Sequence, residues 1–99
     1  MEEKFKIIYN VSDLNDPTAE SFVEHFERKA KKLLRILKNT EAHKINVRVT
    51  IEGYEFIVKV ELSGPKFNLF STEKHEDFRL ATNKVIDEII TMIKKQASK

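Results

Sequence analysis

Two neighbouring stretches of the chain alternate between apolar and polar residues, with Ile57 as the one exception. In the first stretch the apolar positions are Ile45, Val47, Val49 and Ile51. In the second they are Tyr54, Phe56, Val58, Val60 and Leu62. Successive side chains of a β-strand point to opposite faces, so each stretch is predicted to be a strand with one buried face. Only Glu52 and Gly53 separate them, which predicts a tight hairpin.

Two further stretches predict strands beside this hairpin. The first has alternating apolar positions at Phe5, Ile7, Tyr9 and Val11. The second, residues 67–72, follows a turn formed by Ser63-Gly64-Pro65-Lys66. The outward-facing apolar residues of the resulting sheet would be Ile8, Ile57 and Phe70, so a homodimer contact through the open sheet face is an alternative to an ordinary solvated surface.

Two segments have helical periodicity. The first is predicted to run from Asp16, which can cap it, through Pro17 to about Leu37. Its apolar face consists of Ala19, Phe22, Val23, Phe26, Ala30, Leu33, Leu34 and Leu37. The second helix begins near Glu76 and Asp77. Its apolar face consists of Phe78, Ala81, Val85, Ile86, Ile89, Ile90, Met92 and Ile93. Residues 39–43 form the break after the first helix.

The predicted order of elements is therefore β-α-β-β-β-α. Because no βαβ alternation is present, we expect an α+β fold: a four-stranded, mainly antiparallel sheet with two helices packed on one face. A chain of 99 residues has the size of one domain, so residues 1–99 are predicted to form a single unit.

The charge distribution is more informative than the net charge of +2. Residues 1–27 carry two basic and seven acidic residues, whereas residues 28–38 carry six basic residues and no acid. A solvated helix face usually mixes both signs to gain ion pairs between successive turns, so a face of one sign favours contact with phosphates. No aromatic residue lies among these bases, which indicates contact that does not depend on base sequence.

The sequence offers no candidate for catalysis. There is no cysteine, and two glycines cannot form a glycine-rich phosphate loop. The three histidines, His25, His43 and His75, do not have the spacing of zinc ligands. We therefore expect no enzyme activity, no cofactor, no metal and no small-molecule substrate. The acidic start and the lack of a long apolar run predict a cytoplasmic protein without a membrane partner.

The segment from Lys74 to Phe78, Lys-His-Glu-Asp-Phe, continues through Ala81, Asn83 and Ile86. It resembles the start of the last helix in the ribosome hibernation-promoting factor family, the ribosome-associated translation inhibitors. There the helix opens with a very similar Lys-His-Glu-Asp stretch, with an alanine four residues after the aspartate. The resemblance extends to Pro65 in a turn, a short strand and this helix, within the same order of elements.

This resemblance implies a protein that binds the small ribosomal subunit and its rRNA between head and body. It would occupy the path of mRNA and tRNA and hold ribosomes idle under stress or in stationary phase. We expect a short-form member, with no linker or second dimerising domain after Lys99. The candidate ribosome-binding residues are Arg28, Lys31, Lys32, Arg35, Lys38, Lys84, Lys94, Lys95 and Lys99.

Only Lys95 and Lys99 match basic positions of the family directly. Glu88 and Thr91 stand where related helices often carry Lys or Arg, and Met92 stands where they often carry Gln. A retargeted protein-interaction or dimerisation module on the same fold is therefore the main alternative function. Binding of double-stranded RNA by a generic basic domain is a further alternative.

Overall fold

The computed structural model of the protein describes residues 6–37, 44–64 and 68–97. Its elements are β1 Lys6–Asn10, α1 Asp16–Lys29, α2 Lys31–Leu37, β2 Lys44–Glu52, β3 Glu55–Ser63, β4 Asn68–His75 and α3 Phe78–Ala97. The predictions that concern Phe5, Lys38, residues 39–43, Pro65, Lys66, Phe67 and Lys99 lie outside the described residues.

The four strands form one sheet in the order β1-β2-β3-β4. The pairs β2–β3 and β3–β4 are antiparallel, which confirms the mainly antiparallel α+β architecture. However, β1 runs parallel to β2, and Ile7 pairs with Ile45. The chain from β1 through the two following helices to β2 is therefore a βαβ unit, and the expectation that no such unit is present is wrong. A parallel pair needs a crossover of this kind, since a tight turn cannot connect its strands.

The hairpin between β2 and β3 is as tight as its sequence predicts. Glu52 pairs with Glu55 at its end, and Gly53 has a φ of 65°. This left-handed backbone conformation is easily accessible to glycine because it has no Cβ atom. Tyr54 lies in the turn and is 79% exposed, so its predicted place on the buried face of the strand is wrong.

The first predicted helix is two helices. It is interrupted at Ala30, whose φ and ψ of −81° and 0° end α1 one residue before α2 begins. The cap of α1 is Asn15 and not Asp16: the Asn15 Oδ1 atom accepts a hydrogen bond of 2.9 Å from the backbone N–H of Thr18. Pro17 lies in the first turn as predicted, where its missing N–H has no helical partner to lose.

One hydrophobic core lies between the inner face of the sheet and the three helices. The largest fully buried side chains are Phe22, Phe26, Leu33, Leu37, Ile45, Leu62, Ile86, Ile89, Val47, Val49, Val58 and Val60. These residues come from the predicted apolar faces, which confirms the periodicity of both helical segments and of the central strands. Aromatic edge contacts join the layers: Tyr9 with Phe26 and Phe56 with Phe78.

Within the described residues, no helix is long and apolar enough to cross a membrane.

The burial of α3 gives a direct test of this packing. Ile89 is fully buried, so we expect Ile89→Ala to lower the free energy of unfolding by about 2–5 kcal/mol, through lost burial and the cavity that remains. Leu80 on the same helix is 51% exposed, and Leu80→Ala should cost less than about 1 kcal/mol. Urea unfolding measures both variants. A loss below about 1 kcal/mol for Ile89→Ala would show that the assigned helix face is wrong.

Candidate nucleic-acid interface

Four of the predicted contact residues form an exposed basic stripe on α1 and α2, which we define as Arg28, Lys31, Lys32 and Arg35. The buried residues Phe26, Leu33 and Leu37 hold these two helices on the core, so the charged side chains extend into solvent. The structure thus brings these four side chains onto the surface of two consecutive helices. Lys38 belongs to the same prediction but lies outside the described residues.

The break between α1 and α2 does not interrupt this stripe. The backbone N–H of Ala30 donates to the carbonyl of Phe26, and the Ala30 carbonyl accepts from the N–H of Leu34, both at 2.8 Å. Ala30 is fully buried, which anchors the junction against the core. The basic side chains on either side of the junction therefore share one scaffold.

The four side chains of the stripe are not held in ion pairs. Among the described residues, no acidic side chain forms an ion pair with Arg28, Lys31, Lys32 or Arg35. Like charges on successive turns reinforce the local positive potential, which Glu24 and Glu27 lower only at the α1 end of the stripe. This surface can therefore attract a polyanion, and the attraction would weaken with added salt.

A cleft of about 460 Å³ opens between α1 and the first turn of α3 beside this stripe. Its lining residues are Pro17, Thr18, Ser21, Glu24, His25, Arg28, Phe78 and Arg79. The two helices are joined across it by His25, whose Nε2 atom lies 2.9 Å from Asn83 Oδ1. Arg79 is a basic residue that the sequence analysis missed. Arg79 directly follows the Lys-His-Glu-Asp-Phe segment, and this position was the only sign in the sequence of a functional role. Helical periodicity alone could not show that Arg79 faces α1.

The Lys-His-Glu-Asp segment shapes the start of α3. Asp77 Oδ1 accepts a hydrogen bond of 2.9 Å from the backbone N–H of Arg79, and Arg79 Nε lies 3.3 Å from the same oxygen. The Asp77 N–H in turn donates to His75 Nδ1 at 2.9 Å. The bonds from Arg79 hold the pKa of Asp77 below its usual range. Asp77 therefore caps α3, and the helix begins directly after Glu76 and Asp77, close to its predicted start.

The predicted contact residues near the end of the chain have different surroundings. Lys84 faces the edge strand β4, where its Nζ atom lies 3.8 Å from Glu73 Oε1. Lys94 and Lys95 are exposed in the last turn of α3. The helix α3 also contacts α2, which carries part of the stripe. Lys99 lies outside the described residues.

Glu88 and Thr91 both have structural partners within the protein. The Ser71 hydroxyl on β4 donates a hydrogen bond to Glu88 Oε1, and the Thr91 hydroxyl donates to the carbonyl of Asp87 at 3.0 Å. Glu88 also shares a hydrogen bond with Glu73, and this contact raises the pKa of Glu73, with burial and the Glu88 charge adding to the effect. The side chain of Glu88 is thus part of the packing of α3 on β4.

Among the described residues, no group of three or more histidine or acidic side chains is arranged to hold a metal ion.

The sequence of residues 9–99 matches the family described as Sigma 54 modulation protein / S30EA ribosomal protein. The chain therefore belongs to this family, which confirms the resemblance to the ribosome hibernation factors. The family consists of ribosome-associated hibernation proteins and is not a class of enzymes. No curated protein sequence matches the chain.

Two solved structures have the same fold. They are a ribosomal subunit interface protein from Coxiella burnetii and the N-terminal domain of Protein Y from Thermus thermophilus. Each has a TM-score of 0.71 and 15% sequence identity, and each alignment covers 94% of this chain and 98% of the other. This structural similarity shows that the chain has the same fold as those two proteins.

The contact between Glu73 and Glu88 predicts a pH-dependent stability. A carboxyl group whose pKa is raised on folding stabilises the protein at low pH, and that contribution is lost as the pH rises through its folded pKa. Glu88→Gln keeps an oxygen acceptor for Ser71 but removes one of the two like charges. We expect the variant to be more stable than the original chain at pH 7, with a difference that shrinks towards about pH 4.

Urea unfolding between these pH values measures this difference. Asp87→Asn is the matched control, since Asp87 is exposed on the same helix. A stability difference for Glu88→Gln that does not change with pH would contradict the assignment.

Proposed function

We propose that this protein binds the small ribosomal subunit through the basic stripe and keeps the ribosome idle by occupying the path of mRNA and tRNA. The observation that carries the proposal is the run of exposed cations on α1 and α2, none of which is paired with a described acid. Membership of a ribosome-associated family supports the choice of a ribosome over other polyanions. The proposed place of action is the cytoplasm.

The mechanism needs no catalysis. Each Lys or Arg that neutralises a phosphate releases a condensed counterion, which gives affinity without reading the base sequence. A folded domain on these phosphates excludes a flexible mRNA from the same space. Because buried residues of the core hold the two helices, the backbone that carries the stripe is ordered before it meets RNA, and no backbone ordering opposes binding.

The remaining basic residues take different parts in this proposal. Arg79, which the sequence did not predict, lines the same cleft as Arg28 and would extend the contact beside the stripe. Lys94 and Lys95 would extend the contact at the end of α3. Lys84 would contact RNA from the β4 side, where it also pairs with Glu73. Lys38 and Lys99 complete the proposed set.

Charge reversal of the stripe tests the proposal. We expect the variant Lys31→Glu, Lys32→Glu, Arg35→Glu to lose co-sedimentation with isolated small ribosomal subunits, because three attractive contacts become repulsive. All three side chains are exposed, so the variant should fold, which its far-UV circular dichroism and thermal unfolding would verify.

The matched control reverses three exposed bases on the strands: Lys6→Glu, Lys44→Glu and Lys74→Glu. Its net charge changes equally, so a general electrostatic effect would weaken both variants alike. Unchanged subunit binding by the folded helix variant would refute the assigned surface. Absence of binding by the original chain would instead favour a retargeted protein-interaction module.

A further inference from the structure

None of the described helices packs on the outer face of the sheet. All three helices lie on the inner face, where the buried residues of the strands are found. The outward positions of the strands are exposed or half-buried throughout the described residues. This face is therefore a second surface of the protein, opposite the helical layer that carries the basic stripe.

The charges on this outer face are divided unequally. At the hairpin end, Lys74 Nζ lies 3.1 Å from Glu52 Oε1 and 3.8 Å from Glu55 Oε1, so this end is neutralised. Over the rest of the described face, the charged outward residues are Lys6, Lys44, Arg48, Lys59 and Glu61. Four cations thus stand against one acid, and none of the four forms an ion pair with a described acid. This part of the face complements a polyanion.

An aromatic ring is exposed within this positive region. Phe70 on β4 is 58% exposed, although it belongs to an otherwise folded strand. The Nζ atom of Lys59, on the adjacent strand, lies 5.5 Å from the centre of its ring. An exposed ring beside a cation is suited to a nucleotide, because the base can stack on the ring while its phosphate meets the ammonium group.

A shallow groove of about 460 Å³ continues from this point across the sheet. Its lining residues are Ile8, Asn10, Asn46, Val47, Arg48, Lys59 and Glu61. Asn10, Arg48 and Lys59 lie side by side in the strand register, and Asn46, Glu61 and Phe70 form the neighbouring row. Neighbouring strands are about 4.8 Å apart, so the groove and the ring together span about 14 Å, which is room for a few nucleotides.

We propose that this open sheet face binds single-stranded RNA. A base stacks on Phe70, phosphates pass Lys59 and Arg48, and the amides of Asn10 and Asn46 are placed to meet base edges. A second copy of the chain fits less well. A two-fold symmetric contact would bring the same unpaired cations of both copies together, which costs free energy. The proposal is independent of the helical stripe and does not require that the stripe bind a ribosome.

Stacking is tested with Phe70→Ala. The measurement is the fluorescence anisotropy of a labelled, unstructured RNA 12-mer titrated with protein. We expect affinity to fall at least about fivefold, because one stacked base is lost. Tyr54→Ala is the matched control, since Tyr54 is an even more exposed aromatic residue that lies in the hairpin turn. The control should bind as the original chain does.

The phosphate contacts are tested with Arg48→Gln, Lys59→Gln. The slope of log affinity against log salt should become shallower by about 1.4, since each phosphate contact to a single strand contributes about 0.7. All titrations are repeated in the Lys31→Glu, Lys32→Glu, Arg35→Glu background. If the effects of Phe70→Ala and of the double variant persist there, the RNA site is separate from the stripe, whatever the result of ribosome binding.

Two results would overturn the proposal. One is equal RNA affinity for Phe70→Ala, Tyr54→Ala and the original chain. The other is a concentration-dependent dimer in sedimentation velocity that Phe70→Ala abolishes, because the face would then be an interface between two copies.

Discussion

Burial of one face of the sheet is the constraint on which the rest of this structure depends. Val47, Val49, Val58 and Val60 alternate with polar residues along β2 and β3, so only one side of these strands can leave water. The helices must therefore lie on that side, and their apolar faces, including Phe26 and Ile89, close the core. The polar positions of the strands are left on an outer face that none of the described helices covers.

This arrangement gives the protein two surfaces with different character. The helical side carries unpaired cations without an aromatic residue among them, which suits phosphate backbones held in a fixed shape. The sheet side combines cations with the exposed ring of Phe70, which suits unstacked bases. The Glu88 carboxylate accepts a hydrogen bond from the Ser71 hydroxyl, so this side chain joins α3 to the sheet at a position where the resemblance leads one to expect a base for RNA.

The sequence predicts those features that follow from local periodicity. The regular spacing of apolar residues predicts the buried face of the strands around Val49 and Val58 and the apolar faces of the helices. The same spacing predicts that Lys31 and Arg35 are exposed. It does not predict features that depend on distant residues or on small backbone changes. No glycine or proline marks the break at Ala30. The parallel pairing of β1 and the approach of Arg79 to α1 arise only when the layers assemble.

The most direct test of the central claim is co-sedimentation of the original chain with isolated small ribosomal subunits across a salt series, with mRNA and tRNA as competitors. If the basic stripe occupies the RNA path, binding will weaken steeply with salt and both competitors will displace the protein. Binding that is insensitive to salt, or that persists when mRNA and tRNA fill their sites, would contradict the account and assign the contact to a different part of the subunit.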